Sequence, residues 1–230
     1  VTTSSPVTIG SGAILVVTLV DRDARGGAGA IVGMRRTAAS GTTPLGYKVA
    51  FDPARIDGGH AYVAFAAILD GTTRRQSGSG VPVITGGPVA GVAIRVAKMT
   101  AYPVAVTGSI VTKEKKALGE KAVAYAALID AGSGRVVAWT VATPTGQAPI
   151  AFSIGYDPDL VAPDASLAVW AAIVDGRAVH ESGVIPLEGD PAAGIDAGML
   201  TTSGRPAVPP LPTPVPTPTP APVTIPDVRG

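Results

Sequence analysis

The chain has 230 residues, of which 15% are charged, and its formal net charge at neutral pH is +1. This balance excludes a basic face for nucleic acid, and the longest apolar run near the start, residues 13–20, is too short for a membrane span of about 20 residues. There is no cysteine, which excludes disulfides, thiolate metal sites and a thiol nucleophile. At about 100–150 residues per domain, the length predicts two domains.

The first half is predicted to be a series of short strands. An unbroken apolar run indicates a buried strand, and apolar residues that alternate with polar ones indicate a half-buried strand. An aromatic-Asp-Pro corner at residues 51–53 leads into the last of the long strands, which ends at an Asp-Gly turn, Asp70-Gly71. The predicted strands are residues 13–20, 31–37, 45–51 and 62–69.

The second half repeats this order. The aromatic-Asp-Pro corner and the Asp-Gly turn both recur at an offset of 105 residues, from Phe51 to Tyr156 and from Gly71 to Gly176. A repeat of this length indicates one structural unit used twice. Strands joined by Gly, Pro and Asp turns predict an all-β sandwich in each copy. The predicted strands of the second copy are residues 103–112, 123–129, 136–141, 150–156 and 167–174.

The first copy lacks most of its opening strand. Asp21 and Asp130 align at an offset of 109 residues, so the counterpart of Ile110 is Val1. A sandwich without an edge strand leaves unpaired backbone groups and an exposed apolar groove. The residues predicted on the accepting side of this gap are Val1, Thr3, Val7 and Ile9.

The C-terminal tail offers a candidate for the missing strand. Residues 206–222 are rich in proline and favour an extended polyproline II conformation, which would span about 50 Å at about 3.1 Å per residue. The last eight residues are β-prone, and the predicted donor residues are Val223, Thr224, Ile225, Val228 and Gly230. Donation of this strand to a neighbouring copy is head-to-tail and builds a filament. The first hypothesis is therefore a structural subunit of an extracellular or cell-surface filament whose partners are copies of itself. The alternative interpretation of the same features is a truncated N-terminus and a tail that serves as a wall-spanning linker.

Other candidates for chemistry have simpler structural explanations. His60 and His180 fall at different places in the repeat, and neither has an evident nucleophile or base as a partner. The loop from Asp21 departs from a calcium-binding loop at its fifth and twelfth positions. Asp52 and Asp157 recur beside proline, which indicates that they cap turns. We predict no catalytic, cofactor or metal residues, no small-molecule substrate and no enzyme activity.

Trp139 and Trp170 lie on predicted strands. They could form a platform for stacking sugars, but packing in the core is the favoured interpretation.

The motifs of both copies resemble one known family. The sequence is similar to the bacterial envelope lipoprotein domain of the type III secretion chaperone (pilotin) family, present as two tandem copies. The stretches that carry this resemblance are residues 47–57, 60–62 and 70–71 in the first copy, and 106–112, 126–130, 149–152, 156–158 and 172–176 in the second. The family's lipidated cysteine is absent from this sequence.

The resemblance implies an immunoglobulin-like sandwich in the cell envelope, without catalytic residues. It supplies the alternative hypothesis, an envelope accessory protein or chaperone that binds a partner segment at a sheet edge, with a periplasmic location instead of a secreted one. The predicted fold is two tandem immunoglobulin-like sandwiches and an extended Pro-rich tail. The predicted units are residues 1–100, with the first strand largely missing, 101–202, and 203–230 as linker and donor strand.

Overall fold

The computed structural model describes residues 1–24, 30–102, 104–113, 117–162, 164–176 and 178–205. The described part is almost entirely β-structure, which confirms the all-β prediction. The immunoglobulin-like detail and the three-unit division stay predictions. The tail and its donor residues lie outside the described residues.

The first half forms one six-stranded sheet. Its path is β2-β1-β3-β4-β6, and β5 pairs with β3 off this path. All neighbouring strands are antiparallel, as expected for strands joined by short turns. The strands are β1 (Thr8–Asp21), β2 (Ala30–Thr42), β3 (Tyr62–Asp70), β4 (Thr73–Gln76), β5 (Val81–Val83) and β6 (Ala97–Lys98).

The second half forms an eight-stranded sheet and a small two-stranded one. The strands are β7 (Val104–Thr112), β8 (Ala117–Leu118), β9 (Val123–Asp130), β10 (Arg135–Ala142), β11 (Gly146–Gln147), β12 (Ile150–Tyr156), β13 (Leu167–Asp175), β14 (Ala178–Glu181), β15 (Ile185–Pro186) and β16 (Ile195–Arg205). The larger sheet has the path β10-β9-β13-β14-β16-β7-β12, with β15 on β13. It folds over so that β7 and β12 share a core with β9 and β13.

The repeated sequence motifs occupy equivalent places. Asp52 and Asp157 each cap a short 3-10 turn, accepting a backbone N–H from Ala54 and Asp159 at 3.0 Å, which confirms their predicted role. These turns are Pro53–Arg55 and Pro158–Leu160. The Asp-Gly turns are also alike, because Gly71 and Gly176 adopt φ of 56° and 62°, where a side chain is disfavoured.

The long strands are buried on both faces, and this explains their unbroken apolar sequence. In β3, Tyr62, Ala64, Ala66 and Ile68 face the core of the first half, whereas Val63, Phe65 and Ala67 face the second half. The side chains of β9 and β13 alternate in the same way: one set faces the core of the second half, and the other faces the core that the two halves share. The two sheets therefore pack face to face, and each half covers an apolar face of the other.

Two tryptophans lie at this contact between the halves. Trp139 and Trp170 are only 3% and 1% exposed, which is consistent with packing in the core and leaves no sugar-stacking platform. The indole N–H of Trp139 donates to the Ser77 carbonyl at 2.9 Å, and the Gln76 side-chain amide donates to the Trp139 carbonyl at 2.6 Å. These hydrogen bonds satisfy polar groups that the contact would otherwise bury without partners.

Candidate functional site

The candidate site begins with residues 45–51, which are extended but belong to no strand. Leu45, Tyr47, Val49 and Phe51 are half-buried against the core of the first half, while the residues between them are exposed. This alternation is that of the predicted half-buried strand. The corresponding segment of the second half is β12, which pairs with β7 along its whole length. In the first half, among the described residues, Val1 pairs with this segment at Leu45.

A close approach to β2 positions this segment. A Cβ atom added to Gly33 of β2 would lie 2.7 Å from the Ala50 carbonyl oxygen and 3.0 Å from a Val49 methyl group. Glycine at position 33 therefore leaves the room that the segment occupies. The segment is held on the sheet by packing and not by a ladder of backbone hydrogen bonds.

The first two residues of the chain form a short stub of a strand beside the segment. The amino group of Val1 donates to the Leu45 carbonyl at 2.5 Å, and the Leu45 N–H donates to the Val1 carbonyl at 2.8 Å. On the other side, Thr2 donates to the Ile94 carbonyl and accepts from the Val96 N–H. The stub thus lies between an antiparallel neighbour and a parallel one, as β7 lies between β12 and β16.

An open groove lies beside Val1 and the segment 45–51. It has a volume of about 720 Å³, and its lining is mostly apolar. One wall is the segment 45–51 and the other is residues 88–93, while Val17, Leu19 and Ala64 from the sheet lie at the base. Val89 on the second wall is 74% exposed, an unusual position for a large aliphatic side chain that has no partner.

The polar groups of the groove are few. The Tyr47 hydroxyl donates to the Val92 carbonyl at 2.8 Å and joins the two walls, and burial raises the pKa of this hydroxyl. Lys48 is the one charged side chain among the described lining residues. Within the described part of the chain, the backbone groups of residues 46–51 make no hydrogen bond.

The predicted accepting residues are only partly at this site. Val1 lines the groove and is 4% exposed. Thr3 instead bonds through its hydroxyl to Thr43, Ile9 belongs to β1 opposite Gly41, and Val7 packs against the core. The walls of the groove come from residues 45–51 and 88–93, which the sequence reasoning did not name. The alternation in residues 45–51 was the signal that could have identified the first wall.

The remaining candidates do not form a catalytic arrangement. His60 Nδ1 lies 2.9 Å from a carboxylate oxygen of Asp21, and this hydrogen bond raises the pKa of the imidazole. Asp21 also accepts the backbone N–H groups of Asp23 and Ala24, so the carboxylate acts as a turn cap. His180 lies on β14, opposite Ile173. Among the described residues, no group of three or more His, Cys, Asp or Glu side chains could hold a metal ion.

Comparison with known proteins gives the family. Residues 1–96 and 102–183 match the family described as "Type III secretion system lipoprotein chaperone (YscW)", and the chain belongs to this family. The predicted resemblance is therefore confirmed, over both halves. No curated protein matches the chain. No helix in the described ranges has the length and apolar character that crossing a bilayer requires.

One solved structure is similar to part of the chain. It is titled "Structure of an alternative pilotin from the type II secretion system of Vibrio cholerae" and is 28% identical in sequence. The match covers 43% of this chain and 96% of the other, with a TM-score of 0.37.

The family corrects the first functional hypothesis. A homopolymeric filament built by strand donation from Val223, Thr224, Ile225, Val228 and Gly230 was the wrong prediction, because the chain belongs to a family of secretion chaperones and not of filament subunits. The prediction that the partners of this chain are copies of itself is likewise wrong. The family associates the chain with the bacterial envelope and gives no support to the extracellular location.

Proposed function

We propose that this chain is a non-enzymatic chaperone of the bacterial envelope that binds an extended segment of a secretion-apparatus protein. Membership of the family of secretion-system lipoprotein chaperones is the observation that carries the proposal. The candidate binding surface is the groove of the first half, an apolar channel of about 720 Å³. A periplasmic location fits this role, because an envelope chaperone must meet its partner before the partner is assembled.

The groove has the composition of a binding surface and not of a reaction site. Its described lining contains one charged side chain, Lys48, and no carboxylate, imidazole or thiol that could transfer a proton or attack a substrate. Apolar walls instead favour a ligand with apolar groups, such as the side chains of a polypeptide. The family description supports a protein partner from a secretion system.

Site-directed photo-crosslinking tests this proposal. A benzophenone amino acid replaces Lys48 at the rim of the groove, and in a matched variant it replaces Ser153, the counterpart of Lys48 in the repeat. Both positions are exposed, but the backbone edge at Ser153 is covered by β7. The variants are made in cells that also produce the envelope components of the secretion system of the same genome.

We expect a crosslink from position 48, but not from position 153, to a component of the secretion apparatus that mass spectrometry identifies. Crosslinks of equal strength from both positions would refute the groove as the binding site. A crosslink from position 48 only to another copy of the chain would refute the chaperone function.

A further inference from the structure

We propose that a cavity between β10 and β12 in the second half is a separate binding site, which takes a carboxylate carried on a short apolar group. The cavity shares no lining residue with the groove of the first half, and the inference does not depend on the chaperone function. Three features carry it: a gap in the sheet, a small apolar cavity at this gap, and an arginine without a counter-ion.

The gap exists because the eight-stranded sheet folds over without closing. Its two end strands, β10 and β12, lie near one another but are not hydrogen-bonded neighbours. β10 pairs with β9, and β12 pairs with β7, so each end strand has one free edge. In an antiparallel ladder every second residue of such a strand directs its backbone N–H and C=O away from the partner. Backbone N–H donors therefore line the gap and are available to a ligand.

A cavity of about 190 Å³ lies at this gap. Ala151 and Ser153, which are both exposed, form its rim on β12. Apolar residues of β7, β9 and β12 line it further in, and these are Ile110, Ala124, Ala126, Ile150 and Phe152. An engineered apolar cavity of about 150 Å³ binds benzene, so this cavity has room for a ligand of about six to eight non-hydrogen atoms.

The positive charge of this site comes from the other half of the chain. Arg74 of β4 donates from Nη1 to the Thr140 hydroxyl of β10 at 2.6 Å, and both residues line the cavity. A guanidinium has five N–H donors, and among the described residues no carboxylate pairs with this one. Burial lowers the pKa of Arg74, and no neighbouring negative charge opposes this shift. The site therefore holds a half-buried cation that lacks a counter-ion within the described ranges.

The repeat shows that the fold does not require an arginine at this position. At the offset of 105 residues the counterpart of Arg74 is Val179, and both residues occupy the same position of the ladder to the preceding strand. Val179 is 7% exposed, so an apolar side chain packs well there. A half-buried charge is unfavourable unless an opposite charge accompanies it. Binding of an anion, and not the packing of the sheet, accounts for the arginine.

The surroundings of the charge select the class of anion. A guanidinium pairs with a carboxylate through two parallel hydrogen bonds, and Arg74 has donors left for such a pair. The Thr140 hydroxyl accepts from Arg74, so its own proton can be donated to a carboxylate oxygen. The apolar lining further in suits a chain of about three or four carbon atoms. A phosphate or sulfate would instead lose its hydration against this lining without compensation.

Titration of the full chain with sodium butyrate tests this site. The amide signals are followed by NMR at constant ionic strength, and the neutral analogue butan-1-ol is titrated in parallel. We expect saturable shifts at Thr140 and Ile150, with a dissociation constant in the millimolar range for a ligand of about six non-hydrogen atoms. Butan-1-ol should bind at least tenfold more weakly, because it lacks the carboxylate. Butyrate shifts that do not saturate, or equal binding of the two compounds, would overturn the proposal.

Three variants locate the interaction. Arg74→Gln should weaken butyrate binding at least tenfold, and Thr140→Val should weaken it severalfold. Arg75→Gln is the matched control, since it removes the same charge from the next residue of β4, which pairs with Ile68 and faces the opposite side of the sheet. Binding to the control should be unchanged. Equal losses in the Arg74 and Arg75 variants would show a general effect of charge and overturn the site, and if Arg74→Gln does not fold, Thr140→Val decides the question.

A second pair of probes identifies the source of the carboxylate. One probe is an N-acetylated tripeptide that ends in a free valine carboxylate, and the other is the same tripeptide with an amidated end. Tighter binding of the free tripeptide than of butyrate, lost on amidation, would support the site and assign it to the end of a polypeptide chain. Weaker binding of both tripeptides than of butyrate would support the site and assign it to a free short-chain acid. Equal binding of the free and amidated tripeptides would contradict carboxylate recognition.

Discussion

Removing the Trp170 ring tests whether the two halves form one cooperative structure. Trp170 is 1% exposed, and its ring centroid lies 5.3 Å from that of Tyr125 in the core that both halves share. A buried tryptophan removes about 200 Å² from water, which at about 25 cal/mol per Å² gives about 5 kcal/mol. Alanine keeps part of this area, so we expect Trp170→Ala to lower the free energy of unfolding by about 4 kcal/mol, within the range of about 3–5 kcal/mol for such truncations.

Urea denaturation measures this change. Far-UV circular dichroism reports the sheets, and tryptophan fluorescence reports the contact between the halves. In the Trp170 variants this fluorescence comes from Trp139 alone. Because the core is shared, both probes should give one coincident transition in the parent chain. Trp170→Phe is the matched control, since it keeps an aromatic ring beside Tyr125 and should cost clearly less. A loss below about 1 kcal/mol for Trp170→Ala would show that the ring is not packed as described.

Two further predictions concern the second half and the loop of His60. Gly108→Val in the chain places a Cβ 2.7 Å from the Phe152 ring, so it should displace β7 and cost about 1–3 kcal/mol in urea denaturation, and a cost near zero would contradict the tight packing. The hydrogen bond from His60 to Asp21, together with the nearby charge of Asp57, raises the pKa of the imidazole. This interaction stabilises the folded state fully below the pKa of an unfolded histidine, about 6.5, and the stabilisation is lost as pH rises through the folded pKa. The thermal midpoint should therefore decline less between pH 5.5 and pH 8.5 in His60→Ala than in the parent, and identical pH profiles would refute the interaction.

The two halves share one architecture at this edge. In the second half β7 lies between β12 and β16 and fills the edge of its core. In the first half Val1 and Thr2 lie in the equivalent position, hydrogen-bonded to Leu45 on one side and to Ile94 and Val96 on the other.

The sequence by itself determined the local structure and the repeat. Unbroken apolar runs identified the central strands, Asp beside Pro identified the two caps, and the constant offset identified the duplicated unit. These features depend on residues close together in the chain, where alternation, proline geometry and turn chemistry act directly. The family resemblance was also visible in the repeated motifs.

Only the tertiary structure decided how the two halves meet and where the groove lies. A run that is apolar on both faces shows that both faces are buried, but it does not say that the second face is covered by the other half. The walls of the groove are separated by about forty residues in sequence, so no local pattern joins Tyr47 to Val92. The sequence reasoning named Thr3, Val7 and Ile9 together with Val1, and of these four residues Val1 lines the groove. The groove takes its other residues from distant parts of the chain, because packing in the folded sheet, and not sequence proximity, determines which residues share a surface.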